Sequence, residues 1–186
     1  MTTSENNEPN ERQWFVMRDL KRPNAKLPAY QQLIEDGFEV FTPMRWQIAT
    51  VGGRRTRQRV PYIADLLFVF ASRNDLDPVV DVTPTLQYRF AHGLPYRQPL
   101  TVRTDDMKRF IAAVSTSDSP IYYRAEEITP DMYGRTIDII GGPLNGMRCR
   151  LLKMRGTRRR RIIVEIPGYL AAAVEVNPDF IQLVTD

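Results

Sequence analysis

The sequence predicts an α+β protein of two modules: an N-terminal α/β sandwich with a projecting β-hairpin, and a small C-terminal β-barrel. Three observations predict it. Strand and helix signals alternate through the first 116 residues, and Gly52-Gly53 joins two extended runs, the second with no apolar side chain over Arg54–Arg59. Beyond Tyr133 only short strand signals remain, five of them, separated by glycine- and proline-containing turns.

The elements can be justified in order. Residues 1–12 are polar, carry Glu5, Glu8 and Glu11, and have no apolar core of the signal-peptide kind, so a disordered tail is expected there. The first module is expected over 13–116. Trp14-Phe15-Val16-Met17 is wholly apolar and rich in β-formers, a buried strand. A helix follows, with Pro28 in its first turn, Leu27, Tyr30, Leu33 and Ile34 at helical spacing, and Gly37 where a C-terminal cap is wanted. Phe38–Val51 is expected as one long strand, paired through the Gly52-Gly53 turn with Arg54–Tyr62. Leu66-Leu67-Phe68-Val69-Phe70 is apolar on both faces and so central in its sheet. A short helix over Asp75–Val82, a strand over Gln87–Phe90 and a Thr104-capped helix over Asp105–Ser115 complete the module.

Residues 117–132 contain Ser117, Ser119, Pro120 and Pro130 without periodicity and are expected to be a linker. Charge marks the same boundary. Residues 1–116 hold 16 basic and 13 acidic groups, 117–133 one and four, and 134–186 nine and five. The barrel over 133–186 would be built from Arg135–Ile140, Met147–Met154, Arg160–Ile166, Leu170–Val176 and Ile181–Val184.

Several classes of function are disfavoured. No stretch approaches the roughly 20 apolar residues of a spanning helix, so a cytoplasmic protein without membrane attachment is expected. The lone Cys149 permits no internal disulfide and, with a single histidine, no Cys/His zinc set. His92 sits beside Gly93 and Pro95, a loop setting; Cys149 lies in a strand; Asp105-Asp106 and Glu126-Glu127 are adjacent and point apart. No phosphate-cradling glycine motif is present. No enzyme and no cofactor are expected.

Basic clusters carry the functional signal. Of 26 basic residues only four are lysine, and arginine's planar fork suits phosphate and stacks on bases. Arg54-Arg55-Thr56-Arg57-Gln58-Arg59 is expected in a strand, where Arg55, Arg57 and Arg59 share one face roughly 7 Å apart, a spacing suited to successive phosphates of one nucleic-acid strand. Arg155 with Arg158–Arg161 forms a second cluster at a turn.

These residues resemble the NusG-like transcription elongation and antitermination factors, particularly the specialised RfaH- and UpxY-type paralogues. The resemblance is carried by Trp14–Met17, by Gly37-Phe38-Glu39-Val40-Phe41-Thr42-Pro43, by the Thr50–Thr56 turn region, by Leu67–Phe70, and by Gly134 through Gly141-Gly142-Pro143-Leu144-Asn145-Gly146, which is similar to a KOW motif. Ala64-Asp65-Leu66 stands where that family usually has Pro-Gly-Tyr, and Leu144 where it has phenylalanine. The resemblance implies an NGN-type first module and an SH3-like KOW barrel as the second. It further implies that Leu66, Phe68, Tyr88 and Phe90, with Arg18 at the rim, form a depression gripping the RNA polymerase clamp region and shifting the clamp toward its closed state. Phe68 and Phe90 fit a buried core position equally well. Arg54, Arg55, Arg57 and Arg59 would approach upstream DNA, and Lys21, Arg22 and Lys26 the non-template strand. Leu144, Ile166 and Tyr169 would recruit Rho or a small-subunit ribosomal protein. The function implied is processive elongation or antitermination at particular operons; the alternative is an RNA- or ribosome-associated KOW protein without polymerase affinity.

Overall fold

The computed structural model describes residues 10–22, 25–91, 98–153 and 159–184. His92, Arg155 and Arg158, and the first nine residues of the expected tail, lie outside them. The chain divides into two compact units, Met1–Thr104 and Asp105–Asp186.

The first unit is organised on an antiparallel sheet in the order β2-β5-β1-β6, with β7 also pairing β1. Strand β1 (Gln13–Asp19) pairs β5 (Leu67–Ala71) through its first five residues, with Phe15 opposite Val69 and Val16 opposite Phe68. On its other side β1 pairs β6 (Leu86–Tyr88) near its end and β7 (Thr101–Val102) near its start. Alternation sends Phe15, Met17, Leu67, Val69 and Ala71 to one face, where Ala29 and Leu33 of α1 (Ala29–Glu35) and Leu76 of α2 (Arg73–Val82) close the core. Trp14, Val16, Phe68 and Phe70 take the other face, with the Trp14 and Phe70 rings 5.4 Å apart. Helix α2 starts where Ser72 accepts a hydrogen bond from the Asp75 amide.

The long strand expected over 38–51 is interrupted. Strand β2 (Glu39–Phe41) pairs β5, whereas β3 (Met44–Val51) leaves that sheet and, among the described residues, pairs only β4 (Arg54–Pro61). The break falls at Thr42-Pro43: Pro43 has no N–H for a ladder, and the Thr42 hydroxyl donates to the Leu66 carbonyl at 2.9 Å. Gly52 and Gly53 adopt φ of 57° and 79°, which fits the twist of a two-residue hairpin turn. Arg12, assigned by sequence to the tail, places its guanidinium 4.9 Å from the Phe70 ring centre.

The second unit contains α3 (Thr104–Ser115, from Asp105 onward) and a six-stranded antiparallel sheet in the order β13-β9-β10-β11-β12-β8. All five expected strands are present: β9 (Tyr133–Ile139), β10 (Arg148–Leu152), β11 (Arg161–Ile166), β12 (Leu170–Glu175) and β13 (Ile181–Leu183). The sixth, β8 (Ile121–Arg124), corrects the linker expected over 117–132, because Tyr122 pairs Ala172 and is buried. Four β-forming positions suffice to extend the sheet, and the flanking serines and prolines hid them from a compositional reading. Among the described residues the ladder stays open from β13 to β8. Gly142 is fixed by close approach: a Cβ there would lie 2.7 Å from the Phe180 ring.

Candidate nucleic-acid interface

The β3–β4 hairpin is a two-stranded sheet of its own, and most of its side chains are exposed. Its register pairs Trp46 with Arg59, Ile48 with Arg57 and Thr50 with Arg55. Directly paired residues share a face, so one surface of the ribbon carries Trp46, Ile48, Thr50, Arg55, Arg57 and Arg59 together. The expected sharing by Arg55, Arg57 and Arg59 thus follows from the register. Arg54 pairs Val51 and lies on the opposite surface.

Trp46 completes the site, and the basic-run reading overlooked it. It is 41% exposed and Ile48 is 69% exposed. The Arg57 guanidinium lies 4.2 Å from the Trp46 ring centre and that of Arg59 5.8 Å, so the ring's electron-rich face offsets part of the repulsion between the arginines. No aspartate or glutamate occurs between residues 44 and 61. Guanidinium groups roughly 7 Å apart are within a Debye length of one another at physiological salt, and a polyanion relieves that repulsion.

The other expected nucleic-acid residues are distributed differently. Lys21 is turned inward: its Nζ donates to the Leu27 carbonyl at 2.9 Å and to Gln32 Oε1 at 3.1 Å. Arg22 and Lys26 are exposed.

The five residues expected to line one apolar depression do not come together. Met17 stands opposite both Leu67 and Tyr88, so Tyr88 shares the helix-covered face, while Phe68, opposite Val16, points to the other. Phe68 is 0% exposed and Leu66 4%; both are core in this conformation. Tyr88 is also buried, and its hydroxyl donates to Asp77 Oδ1 at 2.7 Å. Burial and this bond to a carboxylate hold the Tyr88 phenol well above its ordinary range. Phe90, 37% exposed, presents its ring 6.3 Å from that of Tyr88. Arg18 is exposed but bound, its Nε donating to Asp65 at 3.2 Å.

Of the three residues expected to recruit a partner through the second unit, Leu144 and Ile166 are buried and Tyr169 is partly exposed. Accessible apolar surface lies elsewhere in that unit, in a groove of about 1030 Å³ lined by Met132, Leu151, Leu152, Leu183, Arg135 and Lys153 among others. Within the second basic cluster, Arg159 and Arg161 both pair with Glu175, at 2.9 and 3.0 Å. Burial, with Asp138 nearby, pushes the Cys149 thiol up to about 11, the reverse of what a nucleophile needs. Among the described residues no group of three or more His, Cys, Asp or Glu is placed to hold a metal ion. No helix there is long and apolar enough to cross a membrane.

No protein-family model matches the sequence, and no curated protein matches it. Among solved structures the chain is similar to one of Thermotoga maritima NusG, a structure concerned with domain interaction in that protein, at 14% identity and a TM-score of 0.47, covering 94% of this chain and 98% of that one. A likeness of this size assigns neither family nor function.

Proposed function

We propose that the chain is a NusG-like transcription factor that binds RNA polymerase through its first unit, holds DNA of the elongation complex with the β3–β4 hairpin, and promotes processive elongation or antitermination at particular operons. The observation that carries the reading is the hairpin register, which gathers Arg55, Arg57 and Arg59 on one exposed face free of acidic residues. The ordered resemblance from Trp14–Met17 through Gly141–Gly146 gives that arm its setting. The second unit would recruit a further protein, Rho or a small-subunit ribosomal protein in the resembling family.

The burial of Leu66 and Phe68 favours a second reading, an RNA- or ribosome-associated protein without polymerase affinity, because the apolar contact the first reading needs is filled by the protein's own packing. Retention on immobilised core RNA polymerase at moderate salt separates the two. Binding to the elongation complex that weakens on Arg55→Glu/Arg57→Glu exchange, most at low salt, supports the transcription factor. Nucleic-acid binding with no retention by polymerase supports the alternative.

A further inference from the structure

We propose that the hairpin face carrying Trp46 and Arg57 stacks unpaired nucleobases, so that this arm binds single-stranded nucleic acid in preference to duplex. The inference rests on the reading of the hairpin as a nucleic-acid arm and deepens it by naming the form of the ligand. A duplex offers an approaching ribbon its phosphates, sugars and base edges, for which the arginines suffice; its base faces are buried in the stack. Trp46 and Ile48 nonetheless stand exposed in the middle of that cationic face, opposite Arg59 and Arg57. Apolar surface surrounded by guanidinium groups matches a ligand that is anionic along its backbone and flat and apolar at its bases. An unpaired strand has both properties at every nucleotide.

The geometry suits one strand rather than two. Trp46 and Ile48 are two residues apart on β3, roughly 7 Å, and Arg55, Arg57 and Arg59 repeat at the same interval on the adjacent strand. A row of base-stacking surface therefore runs beside a row of phosphate partners, about one β-strand spacing away. Arg57, held 4.2 Å from the Trp46 ring centre, serves both rows. A base can stack on the exposed part of the indole or continue the pile on the guanidinium, which is sequence-tolerant because every base has a π-face.

The test uses the intact chain and fluorescently labelled oligothymidylate, oligouridylate and a mixed-sequence duplex of equal length, followed by anisotropy at one salt concentration. Both single strands should bind more tightly than the duplex. Trp46→Ala should weaken single-strand binding about tenfold and leave duplex binding unchanged, and Trp46→Phe should restore most of the loss. Added single strand should quench an indole emission component that is missing in Trp46→Phe, since Trp14 is buried. Equal loss for single strand and duplex in Trp46→Ala, or loss for neither, overturns the inference. If Trp46→Ala binds normally while Arg55→Glu/Arg59→Glu weakens both forms, stacking is wrong and the nucleic-acid arm stands. If charge reversal also changes nothing, both readings fall together.

Discussion

Asp65 and Arg89 are joined twice: Arg89 Nη2 donates to the Asp65 carboxylate at 3.1 Å and to the Asp65 carbonyl at 3.3 Å. The same carboxylate oxygen takes Arg18 Nε, and the Asp65 carbonyl also receives the Asp19 amide. The segment entering β5 is thereby tied to the end of β1 and to the residue after β6. Its two side-chain pairs are part-exposed, so each contributes modestly, whereas the Arg89 Nε is buried without a hydrogen-bond partner among the described residues. Asp65→Ala should cost about 1 kcal/mol in urea denaturation, more than Arg18→Ala, because it strips a part-buried arginine of its counter-charge. Equal costs for the two variants would show that Arg89 does not depend on Asp65.

Phe68 tests the location of the proposed polymerase contact. As a residue with no exposed surface, it should lose about 3–5 kcal/mol on Phe68→Ala in thermal or urea unfolding, and Leu66→Asp should likewise destabilise by burying a carboxyl group. Phe90→Ala, at a part-exposed position, should leave stability nearly unchanged and is the fair probe of polymerase affinity. A Phe68→Ala chain as stable as its parent would return Phe68 to the surface.

Chymotrypsin cuts after tyrosine, and Tyr122 and Tyr123 fall in the stretch whose composition reads as linker. Their pairing with Ala172 and Ala171 should protect both bonds in the native chain, with cleavage there appearing only as the second unit unfolds. Mass spectrometry of early fragments checks this. Cleavage after Tyr122 or Tyr123 at the rate of an unfolded peptide would remove β8.

Asp77 links stability to pH. Its burial alone would raise the carboxyl pKa, but hydrogen bonds from Arg73 and Tyr88 outweigh that and hold it below the ordinary 3.8. A carboxyl depressed in the folded state stabilises fully above its unfolded pKa and loses that contribution as pH falls through the folded value. The Tm of the parent should therefore drop more steeply than that of Asp77→Asn below about pH 4. Tyr88 acts in the opposite sense: its raised phenol contributes stability that is present below its ordinary value of 10.0 and declines as pH rises beyond it. Parallel acid limbs for the two proteins would contradict the assignment.

Much of the fold was legible because hydrophobic parity and turn chemistry agree locally. Trp14–Met17, the position of α1, the Gly52-Gly53 turn and the five late strands each announce themselves within a few residues, although Leu27 and Ile34 of the expected α1 stripe are exposed and Ala29 joins Leu33 in the core instead. What escaped needed pairing information. Leu67-Phe68-Val69 reads as apolar on both sides, but which ring shares a face with Tyr88 is decided by register against Met17 and Val16. The departure of β3 from the sheet depends on Pro43 and on a hydroxyl reaching Leu66 across the fold. Trp46, by contrast, could have been found. With Gly52 and Gly53 as the two turn residues, counting back from Val51 opposite Arg54 sets Trp46 against Arg59.

The hairpin's isolation has an evolutionary corollary. Beyond the Thr42-Pro43 joint, β3 and β4 form a sheet of their own and, among the described residues, share no ladder with the strands that enclose Phe15 and Val69. If the hairpin is the nucleic-acid arm proposed above, its residues between Met44 and Pro61 are free to diversify, and the turn to lengthen, while the body keeps its architecture. Descendants of one such chain could acquire different targets by rewriting an eighteen-residue arm (44 to 61) and almost nothing else.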